Sequence, residues 1–184
     1  AYNAVKNAVE QHRASAGGAV VLDTQTGEIL ALANYPSYNP NDRKKLTGEQ
    51  LRNRVLTDTF EPGSTIKPLT VAIALEKGAI TPNTNMVIGA KYLVGPKPIT
   101  DTHPYSNLTI SQIIQKSSNI GTAKIAMNNL SAEEMWNFYT SVGLGQAPKI
   151  GFPGAVAGTV HPYKKWMPTD QARISFGYGI SGSL

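Results

Sequence analysis

A serine and a lysine three residues apart form the most reactive pair in this sequence. Ser64 and Lys67 open an apolar stretch directly after a Glu-Pro-Gly sequence at 61–63. Residues i and i+3 lie on one face of a helix, so the hydroxyl and the amine can touch. A serine hydroxyl is a weak nucleophile until a neighbouring base removes its proton. The pair therefore predicts acyl-transfer chemistry in which lysine is the base and no histidine is needed.

Lys67 can act as this base only if its pKa falls from about 10.4 to roughly 7–8. Burial disfavours the charged amine, and so does the positive end of a helix dipole. Pro68 lacks the N–H that would bond the carbonyl of residue 64, which fits a helix beginning at or just before Ser64. A free backbone N–H at this helix start can face an oxyanion. Apolar neighbours that favour burial are Ile66, Leu69, Val71 and Ile73.

A second polar group, Ser117-Ser118-Asn119, interrupts a helical pattern further along the chain. A hydroxyl at this point could pass a proton to a leaving group, and an amide could hold a substrate carbonyl or N–H. Serine and asparagine are also the usual residues of helix caps, so a purely structural role is the alternative. Because S-x-x-K is short enough to occur by chance, neither motif identifies the chemistry alone.

The first part of the chain predicts a helix followed by a β-hairpin. A polar helical stretch runs from Ala1 to Ala14, and two apolar runs at 19–23 and 28–33 flank a turn that ends at Gly27. Both runs are apolar on both faces, which predicts strands inside a sheet covered by helices. A proline-rich and asparagine-rich loop is predicted at 35–42, and a partly helical stretch at 47–59.

The rest of the chain predicts more helices, with short strands and loops between them. A hydrophobic helix is expected from Ser64 to Lys77, with Gly78 as its C-terminal cap. Capping boxes begin helices at Thr109 and Ser131. Helical spacing resumes after the interruption at 117–119. Short strands and loops are expected at 86–105, and loop at 145–165, where prolines and glycines recur.

Composition is compatible with one domain that has a substantial core. The chain has 184 residues, of which 41% are hydrophobic. No run approaches the roughly 18 apolar residues of a membrane span, and no secretory signal stands at the start. The absence of cysteine excludes disulfides, thiol nucleophiles and thiolate metal sites. His12, His103 and His161 show no metal-ligand spacing, so no metal and no cofactor is predicted.

The formal charge is +5. A solvated surface is the favoured interpretation of the basic residues, and an anionic partner such as cell-wall polymer or a membrane surface is the alternative. Interleaved aromatic residues are missing, so nucleic acid is not a predicted partner. The basic residues gather at Arg43, Lys44, Lys45, Arg52 and Arg54.

Together the two motifs resemble those of the penicillin-binding proteins and serine β-lactamases. Three longer stretches are similar to class B penicillin-binding proteins: 27–41, 52–63 and 176–179. The similarity covers nearly the whole chain. It implies an α/β (α+β) fold of the penicillin-binding-protein transpeptidase and serine β-lactamase type, an antiparallel sheet with flanking helices.

The resemblance also implies an activity and roles for individual residues. The family's septal enzymes are peptidoglycan D,D-transpeptidases that cross-link stem peptides ending in D-Ala-D-Ala, and β-lactam antibiotics trap their acyl-enzyme. Ser64 would be the acylated nucleophile, Lys67 its base and Ser117 a proton relay. Asn119 would bind the donor amide, and Tyr178 would line the cleft, unless it is buried in the fold.

The resemblance further implies a place in the cell. It points to the periplasmic face of the bacterial inner membrane and to divisome partners of the full-length protein. The anchor and N-terminal part that the family carries are not in this chain. No cofactor is implied.

The family's third motif, K-T-G or K-S-G, does not occur in the sequence. In the family it lies on a later strand beside an oxyanion donor, and loss of one such donor costs about 10²–10³ in rate. We expect residues 1–184 to be a transpeptidase domain truncated before that strand, with C-terminal strands missing and inefficient acylation. The alternatives are a serine β-lactamase or D,D-carboxypeptidase of the same superfamily, and a non-catalytic fragment or scaffold.

Overall fold

The computed structural model describes residues 1–42, 44 and 46–184, so Arg43 and Lys45 of the basic group fall outside the described residues. The chain divides into two compact units. The first contains residues 1–59, 147–157 and 183–184, and the second contains 60–146 and 158–182. Every residue singled out as a candidate site residue belongs to the second unit.

The first unit is built on the predicted hairpin. Helix α1 (Tyr2–His12) precedes strands β1 (Gly17–Leu22) and β2 (Ile29–Tyr35), which pair antiparallel in a two-stranded sheet. Two short helices follow, α2 (Gly48–Leu51) and α3 (Arg54–Thr57). The hairpin and the partly helical stretch after it are therefore confirmed.

Among the residues that the structure describes, helices cover only one end of this hairpin. Gly17 lies against Val9 of α1, and Gly18 lies against Val55 of α3, both close enough that a Cβ on either glycine would collide. At the turn end the prediction of a covered sheet is wrong for the described residues, since Leu22 is 54% and Leu30 is 62% exposed. The reason is geometric, because α1 and α3 lie where the strands enter and leave the hairpin.

The described basic residues near α3 form ion pairs within the first unit. The Arg52 guanidinium lies 2.8 Å from Asp58, and Arg54 lies 3.0 Å from the other oxygen of the same carboxylate. Arg54 also pairs with Glu49. These two arginines therefore stabilise the α2–α3 segment through ion pairs within it.

Among the described residues, the second unit holds the remaining helices, two pairs of short strands and two isolated bridges. Strand β3 pairs antiparallel with β6, and β4 pairs antiparallel with β5. The elements in chain order are a 3₁₀ turn Gly63–Ile66, α4 Lys67–Glu76, β3 Asn85–Gly89, β4 Tyr92–Leu93, β5 Pro98–Ile99, β6 Tyr105–Thr109, α5 Ile110–Gln115, α6 Asn119–Asn129, α7 Ala132–Ser141, a 3₁₀ turn Tyr163–Lys165 and α8 Pro168–Ile174.

Helix α6 lies at the centre of this unit, in contact with α4, α5, α8 and β3. Its residues Ile120, Ala123, Ile125 and Ala126 have no exposed surface. Apolar residues all round a helix are typical of one that is buried on every side. Gly121 lets α5 come close, because a Cβ there would lie 2.7 Å from a carbon of Ile113. The site elements are thus held by one tightly packed core.

Local sequence signals located most of these elements. Thr109 and Ser131 each cap a helix through a reciprocal capping box, as predicted. Gly78 follows α4 with φ 70°, the left-handed conformation expected of a C-terminal cap. Helix α8 was not predicted, although the sequence contains two signals for a helix start. Pro168 lies in its first turn, and the Asp170 carboxylate accepts the Met167 N–H at 2.8 Å. No helix in the described residues is long and apolar enough to cross a membrane.

A buried hydroxyl pair joins α4 to α7 and to the end of α8. Thr70 Oγ1 donates to the Ser175 carbonyl at 2.6 Å, so the Tyr139 hydroxyl, 2.7 Å away, must be the donor to Thr70.

Tyr139→Phe is expected to lower the free energy of unfolding by about 1 kcal/mol, since one net hydrogen bond is lost in the core. Chemical denaturation measures this. Tyr163→Phe, which loses a partly exposed bond to Glu133, is the control and should stay within about 0.5 kcal/mol of the parent protein.

Candidate active site

Lys67 is the first residue of α4, and its side chain is almost completely buried, with 2% exposed. Its Nζ donates to Ser117 Oγ at 2.9 Å and to the Ser117 carbonyl oxygen at 2.5 Å. Burial lowers the pKa of Lys67 from 10.5 to about 8, while the negative charge of Asp101 acts in the opposite direction. The lowered pKa expected from the apolar sequence is confirmed. About a tenth of such amines are neutral at pH 7.

Ser64 lies in the 3₁₀ turn that leads into α4 and is exposed. Its carbonyl accepts the N–H of Lys67. Side chains at i and i+3 of a 3₁₀ turn lie directly above one another, so Ser64 and Lys67 share one face. The structure therefore combines an accessible hydroxyl with a buried, partly neutral amine one turn later.

The turn before Ser64 is fixed by the segment Phe176–Gly179. Gly63 donates its N–H to the Gly177 carbonyl at 3.1 Å, and the carboxylate of Glu61 accepts the Gly179 N–H at 2.8 Å. A Cβ on Gly177 would lie 2.0 Å from the Gly63 oxygen, so only glycine permits this approach. The sequence gives no local signal for this long-range pairing, which orients the start of the helix that carries Ser64.

Ser117 lies between α5 and α6 with φ 56°, a left-handed conformation that is uncommon for a residue other than glycine. The side chain is exposed on its outer side, and its hydroxyl and carbonyl both accept from Lys67. Strained backbone of this kind persists only where surrounding structure holds it, and it is concentrated at functional sites. The sequence placed Ser117 at a helix interruption but not in this conformation.

The neighbouring Ser118 is a structural cap, whereas Asn119 is partly accessible. Ser118 is fully buried, and its Oγ accepts the Gly121 N–H at 2.8 Å at the start of α6. The Asn119 side-chain amide donates to the Thr100 carbonyl at 3.0 Å. The structural alternative is thus confirmed for Ser118, which caps the helix. Ser117 contacts Lys67, and Asn119 lines a neighbouring cavity; their roles in proton transfer and substrate binding stay predictions.

Asp101 is the residue that sequence reasoning undervalued. Its Oδ1 accepts the N–H groups of Asn119 at 2.6 Å and Ile120 at 3.0 Å, and its Oδ2 accepts the Ser118 hydroxyl at 2.6 Å. Its carboxylate thus holds the first turn of α6 and contributes the negative charge near Lys67. The sequence around Asp101 does not mark this role, because the signal that matters is its contact with a distant helix start.

Tyr178 is 51% exposed, so the alternative that it is buried in the fold is wrong. Its ring packs edge-on against Phe176 with centroids 5.7 Å apart. Together with Asn119 it lines a cavity of about 240 Å³. The part of the chain that the structure describes contains no cluster of three or more histidine or acidic residues that could hold a metal ion.

Asp101→Asn is expected to lower the pKa of Lys67 further below its present value of about 8. The carboxylate favours the ammonium form, and its removal leaves burial unopposed. A pH titration of the Lys67 side chain by NMR measures the shift. Asp170→Asn, which alters another helix-capping carboxylate, is the control and should leave the Lys67 pKa unchanged. A Lys67 pKa that rises or stays constant in Asp101→Asn would contradict the assignment.

Comparison with known proteins identifies the family. The model of the penicillin binding protein transpeptidase domain matches residues 17–184. The chain is 48% identical over 184 residues to the probable peptidoglycan D,D-transpeptidase PenA of Neisseria gonorrhoeae, covering 100% of this chain and 31% of that protein. It is 40% identical over 179 residues to the peptidoglycan D,D-transpeptidase FtsI of Escherichia coli (strain K12), covering 97% of this chain and 30% of that protein.

Solved structures agree with this assignment. The apo structure of the transpeptidase domain of penicillin-binding protein 3 from Burkholderia pseudomallei has a TM-score of 0.87 and 50% identity. The match covers 98% of this chain and 50% of that one, whereas the chain spans about a third of the curated relatives above. The expected fold class and the resemblance to class B enzymes, penicillin-binding protein 3 among them, are confirmed. The chain belongs to the penicillin-binding protein transpeptidase domain family.

Proposed function

We propose that this chain supplies the nucleophile, base and proton relay of a peptidoglycan D,D-transpeptidase that cross-links stem peptides. The observation that carries the proposal is the buried Lys67 amine, with a pKa of about 8, bonded to Ser117 and one turn from the exposed Ser64. The names of the relatives support the substrate class. Because the chain spans about a third of those relatives, the reaction is assigned to the protein that carries this segment.

In the acylation step, neutral Lys67 accepts the proton of Ser64 as the serine oxygen attacks the carbonyl carbon of the D-Ala-D-Ala peptide bond. A C–O ester bond forms and the C–N bond breaks. The leaving D-Ala amine needs a proton, and Lys67 can deliver it through the Ser117 hydroxyl, which lies 2.9 Å from Nζ. The Ser64 N–H at the start of the helix can face the oxyanion of the intermediate.

In the second step, an amine of a neighbouring stem peptide attacks the ester carbonyl. It loses its proton to Ser117 and Lys67, a new amide bond forms, and the ester C–O bond breaks as Ser64 regains a proton. A β-lactam would enter by the first step, because its ring amide takes the place of the D-Ala-D-Ala bond. Its leaving nitrogen stays attached to the acyl group, which prolongs the life of the acyl-enzyme.

Asn119 and Tyr178 are proposed to bind the donor peptide. Both line the 240 Å³ cavity. The Asn119 amide now donates to the Thr100 carbonyl, and a bound donor would offer it a competing carbonyl acceptor. Tyr178 offers an exposed aromatic face, which suits the apolar parts of a peptide or of a β-lactam side chain.

We also propose a septal, periplasmic role at the inner membrane, with divisome proteins as partners of the whole protein. Support comes from the resemblance to septal class B enzymes and from the relatives named FtsI and PenA. Peptidoglycan is assembled outside the inner membrane, so its cross-linking enzyme must act there.

Ser64→Ala is expected to abolish covalent labelling by a fluorescent penicillin, because the only acylated atom is removed. The parent protein in the labelling experiments is the protein that carries this segment, since residues 1–184 alone are expected to acylate inefficiently. Intact mass and peptide mapping should show one equivalent of label on its Ser64. Ser141→Ala, which changes an exposed serine at the end of α7, is the matched control and should label normally. Labelling that survives in Ser64→Ala would reject the proposed nucleophile.

The same experiment separates the proposed activity from its alternatives. A long-lived adduct, together with aminolysis when an acceptor amine is added, identifies a transpeptidase. Rapid loss of the label by hydrolysis would identify a β-lactamase, and hydrolysis of D-Ala-D-Ala without transfer would identify a carboxypeptidase. A folded protein that never labels would be a non-catalytic scaffold.

A further inference from the structure

A second, larger cavity lies along helix α8. Its volume is about 490 Å³, within the usual range for small-molecule sites. Its walls come from three parts of the second unit: Glu61 before the nucleophile, the 161–166 segment with Trp166, and the 170–179 segment with Arg173 and Tyr178. We call it the α8 cavity. Glu61 and Tyr178 on its wall have roles described above, but the cavity itself has not been assigned a ligand.

The acidic and the basic residues of the α8 cavity differ in their hydrogen-bond partners. Glu61 accepts the Gly179 N–H at 2.8 Å, and Asp170 accepts the Met167 N–H at 2.8 Å. Arg173 and Lys165 form no ion pair or side-chain hydrogen bond with any residue that the structure describes, and both are exposed. The acidic groups are therefore engaged by backbone, whereas the two basic groups remain available to a ligand.

The α8 cavity adjoins the candidate active site. Arg173 and Tyr178 line both this cavity and the smaller one that contains Asn119. Glu61, on its wall, lies three residues before Ser64 and is bonded to the segment that fixes the turn of the nucleophile. A ligand in the α8 cavity can thus extend past Tyr178 toward Ser64.

We propose that the α8 cavity binds a free carboxylate of the acceptor stem peptide, with Arg173 as its main contact and Lys165 as a second positive charge. The inference rests on the proposed function, because only a transpeptidase needs an acceptor. An acceptor whose reactive amine lies on the side chain of its last residue also carries a free α-carboxylate. A guanidinium offers two parallel N–H donors to such a group, which fixes its orientation as well as its affinity.

Binding can be measured without catalysis, by NMR of the two tryptophan indoles. The Trp166 Nε1–H donates to the His161 carbonyl at 2.8 Å on the cavity wall, whereas Trp136 lies outside the cavity and serves as an internal control. The probes are the tripeptide L-Ala-γ-D-Glu-L-Lys and its fully amidated form. We expect the free acid to shift the Trp166 signal saturably, and Arg173→Gln to raise its Kd about tenfold. Equal shifts from both peptides, or no shift, would overturn the proposal.

A kinetic test asks whether the same contact serves transfer. With a thioester donor, kcat/KM is measured for the free-acid acceptor and for the amidated acceptor. The ratio of these two kcat/KM values is then calculated for each variant. Because both acceptors share the acylation step, any effect of the substitution on acylation cancels in this ratio. We expect the parent protein to favour the free acid about tenfold and Arg173→Gln to bring the ratio close to one. Lys164→Gln, which alters an exposed lysine that does not line the cavity, should keep the parent ratio.

The two experiments also separate failure of the inference from failure of the proposed function. If penicillin never labels Ser64 of the parent protein, the proposed function is rejected. The Trp166 signal then still shows whether the α8 cavity binds the carboxylate. A parent protein that transfers to both acceptors equally well, with the same ratio in Arg173→Gln and Lys164→Gln, would retain the function and reject the α8 cavity as an acceptor subsite.

Discussion

Lys67→Met is expected to abolish most of the acylation activity and, at neutral pH, to make the protein more stable. Methionine keeps the apolar contacts and most of the length of the buried lysine, but it cannot accept the proton of Ser64. A positioned general base typically contributes about 10²–10⁴ in rate, so labelling by a penicillin should slow by a factor in that range. The second-order rate of acylation measures this loss.

The gain in stability follows from the lowered pKa of Lys67. In the folded protein this pKa is about 8, against 10.5 for the ordinary side chain. At pH 7 the Lys67 amine therefore binds its proton more tightly in the unfolded chain than in the native state. This difference lowers the free energy of unfolding by about 3 kcal/mol. Lys67→Met removes that cost and also the bonds to Ser117, so a net gain of about 1–3 kcal/mol is expected.

The pH dependence distinguishes this cause from simple repacking. Between pH 8 and 10.5 the unfolded state binds more protons at this site than the native state does, so the stability of the parent protein rises with pH. The advantage of Lys67→Met should accordingly shrink as pH rises from 7 toward 10. Urea denaturation at several pH values measures it, with the exposed Lys116→Met as control. A constant difference across this range would show that Lys67 is not a destabilising buried amine.

Sequence reasoning succeeded where the physical cause is local. Ser64 and Lys67 are one turn apart, and the apolar residues that bury the amine follow in the same helix. Thr109 and Ser131 begin helices through residues three positions away, so their capping boxes can be read directly. The hairpin at the start of the chain was likewise predicted from two apolar runs and a glycine turn.

It failed where the cause is a contact between distant parts of the chain. Asp101 follows a two-residue strand, and no motif around it in the sequence predicts a role. It nevertheless accepts a hydrogen bond from the first turn of α6, and its negative charge opposes the lowering of the Lys67 pKa by burial. The exposure of Leu22 and Leu30 depends on where α1 and α3 pack, which the alternation of apolar residues does not determine. Arg173 faces the α8 cavity only because α8 ends beside Tyr178.

The contact between Gly177 and Gly63 shows how such a long-range feature can control the site. Gly177 belongs to the segment that follows α8, and Gly63 is the residue before Ser64. Their backbones approach so closely that the Gly63 N–H donates to the Gly177 carbonyl at 3.1 Å. The two glycines are far apart in the sequence, and the residues around each of them predict only a turn.

Gly177→Ala is therefore expected to be among the most damaging small substitutions in the chain. A Cβ at this position would lie 2.0 Å from the Gly63 oxygen and 2.5 Å from its carbonyl carbon, and φ is 90°. Backbone cannot yield as a flexible side chain does, so the 60–63 turn must move. We expect a loss of about 3 kcal/mol or more in unfolding free energy, and at least about a hundredfold slower acylation of Ser64 from the displaced helix start.

Gly78→Ala separates the collision from the cost of positive φ alone. Gly78 has φ 70°, and a Cβ there would meet nothing within 4 Å. Its substitution should cost only about 1–2 kcal/mol, with acylation of Ser64 close to that of the parent protein. Denaturant unfolding and penicillin labelling, measured on both variants, give the comparison. If Gly177→Ala were no worse than Gly78→Ala in either measurement, the Gly63–Gly177 contact would not be what positions the nucleophile.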